Sequence, residues 1–85
     1  MTGRALVLLG KPDCHLCHLM REVVDRVRPD FGLSLVEKDI REDAELEHLY
    51  TLDIPVLLLD EREVARHRID EAGLRRRLED LGLRA

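Results

Sequence analysis

Both cysteines of the chain, Cys14 and Cys17, stand three residues apart in the segment KPDCHLCHLM, with His15 and His18 beside them. Three chemistries use these residue types at this spacing. A C-x-x-C pair can be a redox dithiol, in which one thiolate attacks a disulfide and the second thiol resolves the mixed disulfide. C-x-x-C-H, here Cys14 to His18, is also the spacing of a c-type haem attachment site. Cys14, Cys17 and a histidine could alternatively hold zinc. The elements around the segment have to decide among them.

Residues 4–9, RALVLL, are apolar on both faces and bounded by Gly3 and Gly10, which predicts a central strand buried on both sides. From Cys14 to Arg28 the residues Leu16, Leu19, Met20, Val23, Val24 and Val27 recur at helical spacing with charges between them. Asp13 is the expected N-cap, and Pro29 with Gly32 ends the helix. Both cysteines are thus expected in the first turn of a helix that follows a buried strand directly. LSLVEK, 33–38, alternates as a second strand. Asp39 followed by Glu42 resembles a capping box for a short helix over roughly 40–50, with Leu46, Leu49 and Tyr50 facing inward.

IPVLLLD then reads as a second wholly apolar strand beginning at Pro55, DER as a hairpin turn, and EVARHRI as a polar strand suited to a sheet edge. Its three basic residues would discourage edge-to-edge pairing, which argues for a monomer. Asp70 caps a last helix with Leu74, Leu78 and Leu81 as its buried stripe and Gly82 at its end. The order is β-α-β-α-β-β-α, an α/β domain over 1–85. The β-α-β opening calls for a parallel pair and the last two strands for a hairpin, hence a mixed four-stranded sheet with helices on both faces.

Composition narrows the function classes. The chain has 85 residues, 45% hydrophobic and 38% charged, with a net charge of -4. An acidic balance and only one Phe, one Tyr and no Trp argue against a nucleic-acid binder. The apolar run Ala5 to Leu9 is too short for a signal-peptide core or a membrane span, so the expectation is a cytoplasmic protein with no membrane partner. In a reducing compartment a close cysteine pair is more often catalytic or metal-binding than structural. There is no Asn or Gln and arginines greatly outnumber lysines, which fits a thermophilic source or a GC-rich genome.

For the dithiol, a useful nucleophile must be accessible and have a lowered pKa. Cys14, at a helix N-terminus, meets free backbone N–H groups and the positive end of the helix dipole. Lys11 upstream, the adjacent His15, and His18 one turn along are each placed to stabilise negative charge on sulfur. Cys17, a turn deeper and toward the core, is placed to resolve. Haem attachment would need export, a mostly helical small fold and a distal ligand, and Met20 is too close to serve. Structural zinc would need four ligands, and nothing assigns His48 or His67 to such a shell. No metal is expected.

C-x-x-C opening a helix after the first strand, with I-P before the third, resembles the glutaredoxin-like kind of thioredoxin-fold protein. The match is to small bacterial and archaeal members with K-P-x-C-x-x-C and I-P-V-L segments. The resemblance implies a thioredoxin-like fold and a thiol–disulfide oxidoreductase without a prosthetic group. It also implies a cis proline at Pro55 packed beside the dithiol, with the Ile54 backbone offering hydrogen bonds to a bound peptide or glutathione. Lys11 would also lie at the substrate. The implied partners are a disulfide-containing protein or glutathione, with glutathione or a reductase as electron donor. The chain departs from thioredoxins in having no acid in ALVLL and no W-C-G-P-C. It departs from typical glutaredoxins in lacking C-P-Y-C and a Gly-Gly pair, although Asp70 and Glu71 are present in RHRIDEAG. The alternative from another class is a non-catalytic binding module, or a zinc-binding protein, using the same loop.

Overall fold

A computed structural model describes residues 4–85; Gly3, the expected N-terminal bound of the first strand, lies outside the described residues. Strand β1 (Ala5–Gly10) leads into helix α1 (His15–Val27), which tightens into a 3₁₀ turn (Arg28–Phe31) closed by Gly32 at φ +66°. Strand β2 (Ser34–Asp39), a 3₁₀ turn (Ile40–Glu42) and helix α2 (Ala44–Tyr50) follow. The hairpin β3 (Val56–Leu59) and β4 (Arg62–Arg66) then leads to helix α3 (Glu71–Asp80). No helix among the described residues is long and apolar enough to cross a membrane.

The sheet order is β2-β1-β3-β4; β1 is parallel to β2 and β3 antiparallel to β4, as expected, and β1 runs antiparallel to β3. Alternation along β1 divides the core in two. Leu6 and Leu8, with Leu57 and Leu59 of β3, face α1 and α3, where Met20, Val24, Val27, Leu74 and Leu78 close the larger cluster. Val7 and Leu9, with Val56 and Leu58, face the opposite way onto Ile40, Leu46 and Tyr50. A fully buried leucine in these layers contributes about 1.5–3 kcal/mol.

Four local expectations are corrected. The single helix over roughly 40–50 is instead two pieces. Asp39 caps only the 3₁₀ turn, accepting from the Arg41 N–H at 3.0 Å, while Asp43 starts α2 by accepting from the N–H groups of Glu45 and Leu46. Two closely spaced aspartates offer two caps, and the chain uses both. Because α2 spans only two turns, Leu46 and Tyr50 reach the core while Leu49 remains 54% exposed.

The strand predicted for EVARHRI stops at Arg66, because His67 adopts φ +66° and turns the chain away from the sheet. Within β4 the register slips between Leu57 and Leu58, a bulge that leaves Val64 and Ala65 both buried, so this edge strand is less polar than its sequence implies. The turn is the Asp60–Glu61 pair, both at positive φ, as a two-residue hairpin turn requires. Finally, α1 begins one residue later than expected and Asp13 does not cap it, which matters for the site below.

Asp39 also pairs with the Arg41 guanidinium, and that hydrogen-bonded pairing holds its carboxyl below the usual carboxylate range. A folded-state pKa below the unfolded one stabilises the fold above the ordinary value of about 4, and the contribution disappears as pH falls through the lowered value. Asp39→Asn keeps an N-cap oxygen but loses the charge. It is therefore expected to melt below the parent chain at neutral pH and to converge with it in acid, which thermal melts across pH 2–7 (about two units either side of the carboxylate range) will check.

Candidate functional site

Between Gly10 and the helix, Lys11 to Cys14 make a turn in which the Cys14 N–H donates to the Lys11 carbonyl at 3.3 Å. That turn leaves Cys14 extended, at φ −101° and ψ 108°, as the last residue before helical dihedrals begin. The N-cap position therefore falls to Cys14, and its Sγ accepts the Cys17 N–H at 3.2 Å. A sulfur occupies the place where Ser, Thr, Asp or Asn usually supplies an oxygen to the unpaired first-turn donors. Asp13 is left exposed on the turn.

The two sulfurs differ in access. Cys14 is half-buried at the helix end, whereas Cys17 is 6% exposed and points into the core side of α1. They form a disulfide, with Cα atoms 5.2 Å apart. Gly10 makes room for it: a Cβ at that position would stand 2.8 Å from Cys17 Sγ and 3.1 Å from its Cβ. The need for a residue with no side chain directly under the buried sulfur was not read from the sequence. Its only signal is a glycine closing an apolar strand four residues before the first cysteine.

The sheet register brings the Ile54–Pro55 segment to the same end of the molecule. Leu9 pairs with Val56, and continuing the antiparallel register by one residue sets Pro55 opposite Gly10. The Ile54–Pro55 peptide is cis, and Pro55 is buried. The Ile54 N–H donates to the Tyr50 carbonyl at 3.2 Å, and the Pro55 carbonyl accepts the His67 N–H at 2.8 Å. That last bond ties the 67–70 loop to the same end.

Two concavities flank the start of α1. One, a groove of about 400 Å³, runs between Leu16, Leu19, Met20 and Val23 of the helix and the loop from His67 to Asp70. Its floor is apolar and its loop side carries His67 and Arg68. This loop belongs to RHRIDEAG, the stretch compared above with the glutaredoxin pattern, and the His67–Pro55 bond ties it to this end of the molecule. The second, a cleft of about 260 Å³, lies on the other side of α1, against β2, and reaches Gly10 and Cys17.

The remaining expected site residues divide between these surroundings. His15 is exposed at the first helical position. Lys11 lines the cleft at Cys17, close enough to Asp39 to help hold that carboxyl down. His18, expected to lie along the helix beside Cys14, instead turns its Nε2 back to the Pro12 carbonyl at 2.7 Å and lines the same cleft. Asp70 accepts the Gly73 N–H at 2.7 Å as the cap of α3, and Glu71 pairs with Arg26 at 2.9 Å. Among the described residues, no group of three His, Cys, Asp or Glu side chains stands close enough to hold a metal ion.

Gly10→Ala would press a methyl group against a sulfur fixed by its bond to Cys14. The expected cost is about 1–3 kcal/mol in the oxidised protein and less in the reduced one, where the Cys17 side chain is free to swing. Urea unfolding of both redox forms measures the difference. Equal losses would mean that the crowding is not at the sulfur.

A family model described as Glutaredoxin-like domain (DUF836) matches residues 5–79. The X-ray structure of a protein from X. campestris is 33% identical, with 88% of this chain and 96% of that one covered and a TM-score of 0.76. A solution NMR structure of a protein from Nitrosomonas europaea is 26% identical over 87% of this chain and 89% of that one, with a TM-score of 0.66. Thioredoxin 1 from the thermophilic eubacterium Thermosipho africanus is 16% identical over 92% and 98% of the two chains, with a TM-score of 0.58, a likeness of fold alone. The fold is thioredoxin-like. No curated protein matches the chain.

Proposed function

We propose that this chain, which belongs to the glutaredoxin-like domain family, is a thiol–disulfide oxidoreductase in which Cys14 is the nucleophile and Cys17 the resolving thiol. The observation that carries the reading is the sulfur cap. A group that accepts a backbone N–H at a helix N-terminus is bound more tightly as an anion than as a neutral thiol, because the hydrogen bond and the helix dipole both strengthen with negative charge. The same interaction therefore lowers the pKa of Cys14 in the reduced protein and keeps it at the accessible end of the dithiol.

In the forward direction the Cys14 thiolate attacks one sulfur of a substrate disulfide, forming a mixed disulfide and releasing the other half as a thiolate. Cys17 then attacks Cys14 Sγ, the second half leaves, and the protein holds the Cys14–Cys17 disulfide. The substrate gains two electrons and the dithiol loses them. Cys17 needs no substrate access for this step, which fits its burial. Glutathione or a reductase would return the electrons.

For the substrate we favour an extended polypeptide disulfide. The apolar groove beside Leu16 and Leu19 offers it side-chain contact, and His67 on the groove's loop side is tied to the Pro55 carbonyl. Because the Ile54 N–H is committed to Tyr50, the Ile54 carbonyl is the backbone group assigned to a bound chain. Asp70 and Glu71, at the place where typical glutaredoxins carry an acid that grips the amino end of glutathione, are already engaged by Gly73 and Arg26, which weighs against glutathione as the preferred disulfide.

Two measurements check the roles. Alkylation of reduced Cys14 will reach its plateau rate well below the ordinary thiol pKa of about 8.5, and a midpoint at that ordinary value removes the cap argument. Cys17→Ser will accumulate a stable mixed disulfide at Cys14, while Cys14→Ser will form none. Serine is a good N-cap, so the second variant keeps its helix start and its failure reports on chemistry rather than folding. A trap at Cys17 instead would reverse the assignment. A turnover assay of protein disulfide against glutathione disulfide then tests the substrate preference.

A further inference from the structure

The buried thiol poses a problem that the dithiol chemistry leaves open. Cys17 attacks only as a thiolate, yet it is 6% exposed and does not share the helix-end position of Cys14. Something must take its proton. On the sheet below, the residue facing α1 before Gly10 is Leu8, which has no proton-accepting group.

The cleft that reaches Cys17 from the β2 side is also lined by His18 and by the charged groups Lys11, Arg21, Glu37, Lys38 and Asp39. These come from the turn before α1, from α1 itself and from β2. The lysines and the arginine are donors only. Asp39 is taken by Arg41, which approaches both its oxygens at 2.7 to 3.2 Å. Glu37 faces the Arg21 guanidinium at 3.4 Å across the cleft mouth from β2 to α1. His18 differs. Its Nε2 stands 2.7 Å from the Pro12 carbonyl, which can only accept, so Nε2 carries the proton and the Nδ1 lone pair is left over. His18 and Cys17 line the same cleft, which at about 260 Å³ is large enough to hold several waters.

Resting on the dithiol reading above, we propose that His18 is the proton acceptor for Cys17, working through water in this cleft with its tautomer fixed by the Pro12 carbonyl. In the resolving step the Cys17 S–H proton passes through water to Nδ1, and the resulting thiolate attacks Cys14 Sγ. The Cys14–substrate bond breaks, the Cys14–Cys17 bond forms, and the substrate thiolate leaves. His18 then returns its proton to solvent through the open cleft. On re-reduction of the disulfide, with an incoming thiolate attacking Cys14, the protonated imidazole supplies the proton to departing Cys17. Imidazole is the side chain suited to both directions, because it exchanges protons between about pH 5 and 8. His18 thus serves the buried sulfur, not the exposed one beside which its sequence position puts it.

Dithionitrobenzoate separates the steps on the full chain. The reduced protein releases one coloured thiolate when Cys14 attacks the reagent's disulfide to form the mixed species, and a second when Cys17 resolves it. In the wild type, the rate of the second phase is expected to bend between about pH 5 and 8. In His18→Gln, the first phase should stay within about twofold, while the second should slow about 100-fold near neutrality and lose the bend. Imidazole added to His18→Ala should restore the second phase, which a merely structural role would not allow. A His18→Gln second phase with the wild-type pH profile overturns the proposal, as do equal slowing of both phases and absence of imidazole rescue. Transfer of the effect to Glu37→Gln would assign the proton to that carboxylate instead. No first phase in the wild type would sink the dithiol reading itself, and this inference with it.

Discussion

The hydrogen bond from the Cys17 N–H to Cys14 Sγ sets everything else at this site. A helix needs acceptors for its first N–H groups, and here the acceptor is the reacting atom rather than an inert oxygen. The fold and the chemistry therefore share one group. Anything that stabilises the helix start as a cap also favours the thiolate, and a disulfide bond to the same sulfur weakens it as an acceptor. The spacing of three residues follows from the same geometry, since the donor to an N-cap side chain is the residue two or three positions on. That residue is the second cysteine, whose side chain then points back toward the first.

Holding the two sulfurs at different depths is the work of the sheet. Gly10, at the end of β1, leaves the space that Cys17 occupies, and the register of β1 with β3 carries Pro55 to the strand end beside it. The His67–Pro55 bond then fixes the loop that enters α3. Three segments far apart in sequence thus meet at one end of β1. None of them needs a catalytic side chain to do so. Their contribution is shape: a vacancy for a sulfur, a turn at the strand start and a wall for the groove.

Periodicity made much of this legible. The two wholly apolar strands, the stripe on α1 and the Leu74–Leu78 stripe on α3 are burial patterns, and they gave the element order and the helices on both faces. The C-x-x-C and I-P segments located the site. What could not be read is what depends on side chains meeting across the sheet or on single dihedral angles. Asp13 and Cys14 are adjacent, and nothing in their types says that the turn at Lys11 passes the cap to sulfur. The bulge that buries both Val64 and Ala65, and the positive φ of His67 that ends β4, are likewise settled by tertiary packing. His18 follows the same logic. Helical spacing set it one turn from Cys14, and what the sequence could not show is that its ring leans toward the helix N-terminus and meets the Pro12 carbonyl there.

The environments on the two sides of α1 now make chemical sense together. On one side the groove is floored by Leu16, Leu19, Met20 and Val23, the surface that the proposed polypeptide substrate would contact. On the other the cleft carries His18 and charged groups from the turn, from α1 and from β2 among its lining residues. A dithiol reaction needs both kinds of surroundings. Sulfur–sulfur exchange gains from a dry, shaped surface, whereas the proton that leaves the resolving thiol must reach water. In the proposed reaction, one helix between them would let the first cysteine face the substrate while the second backs onto the cleft. With the proposed route through His18, a cleft entered from β2 would take the place of a proton carrier buried beneath the sulfur, where β1 carries no acid.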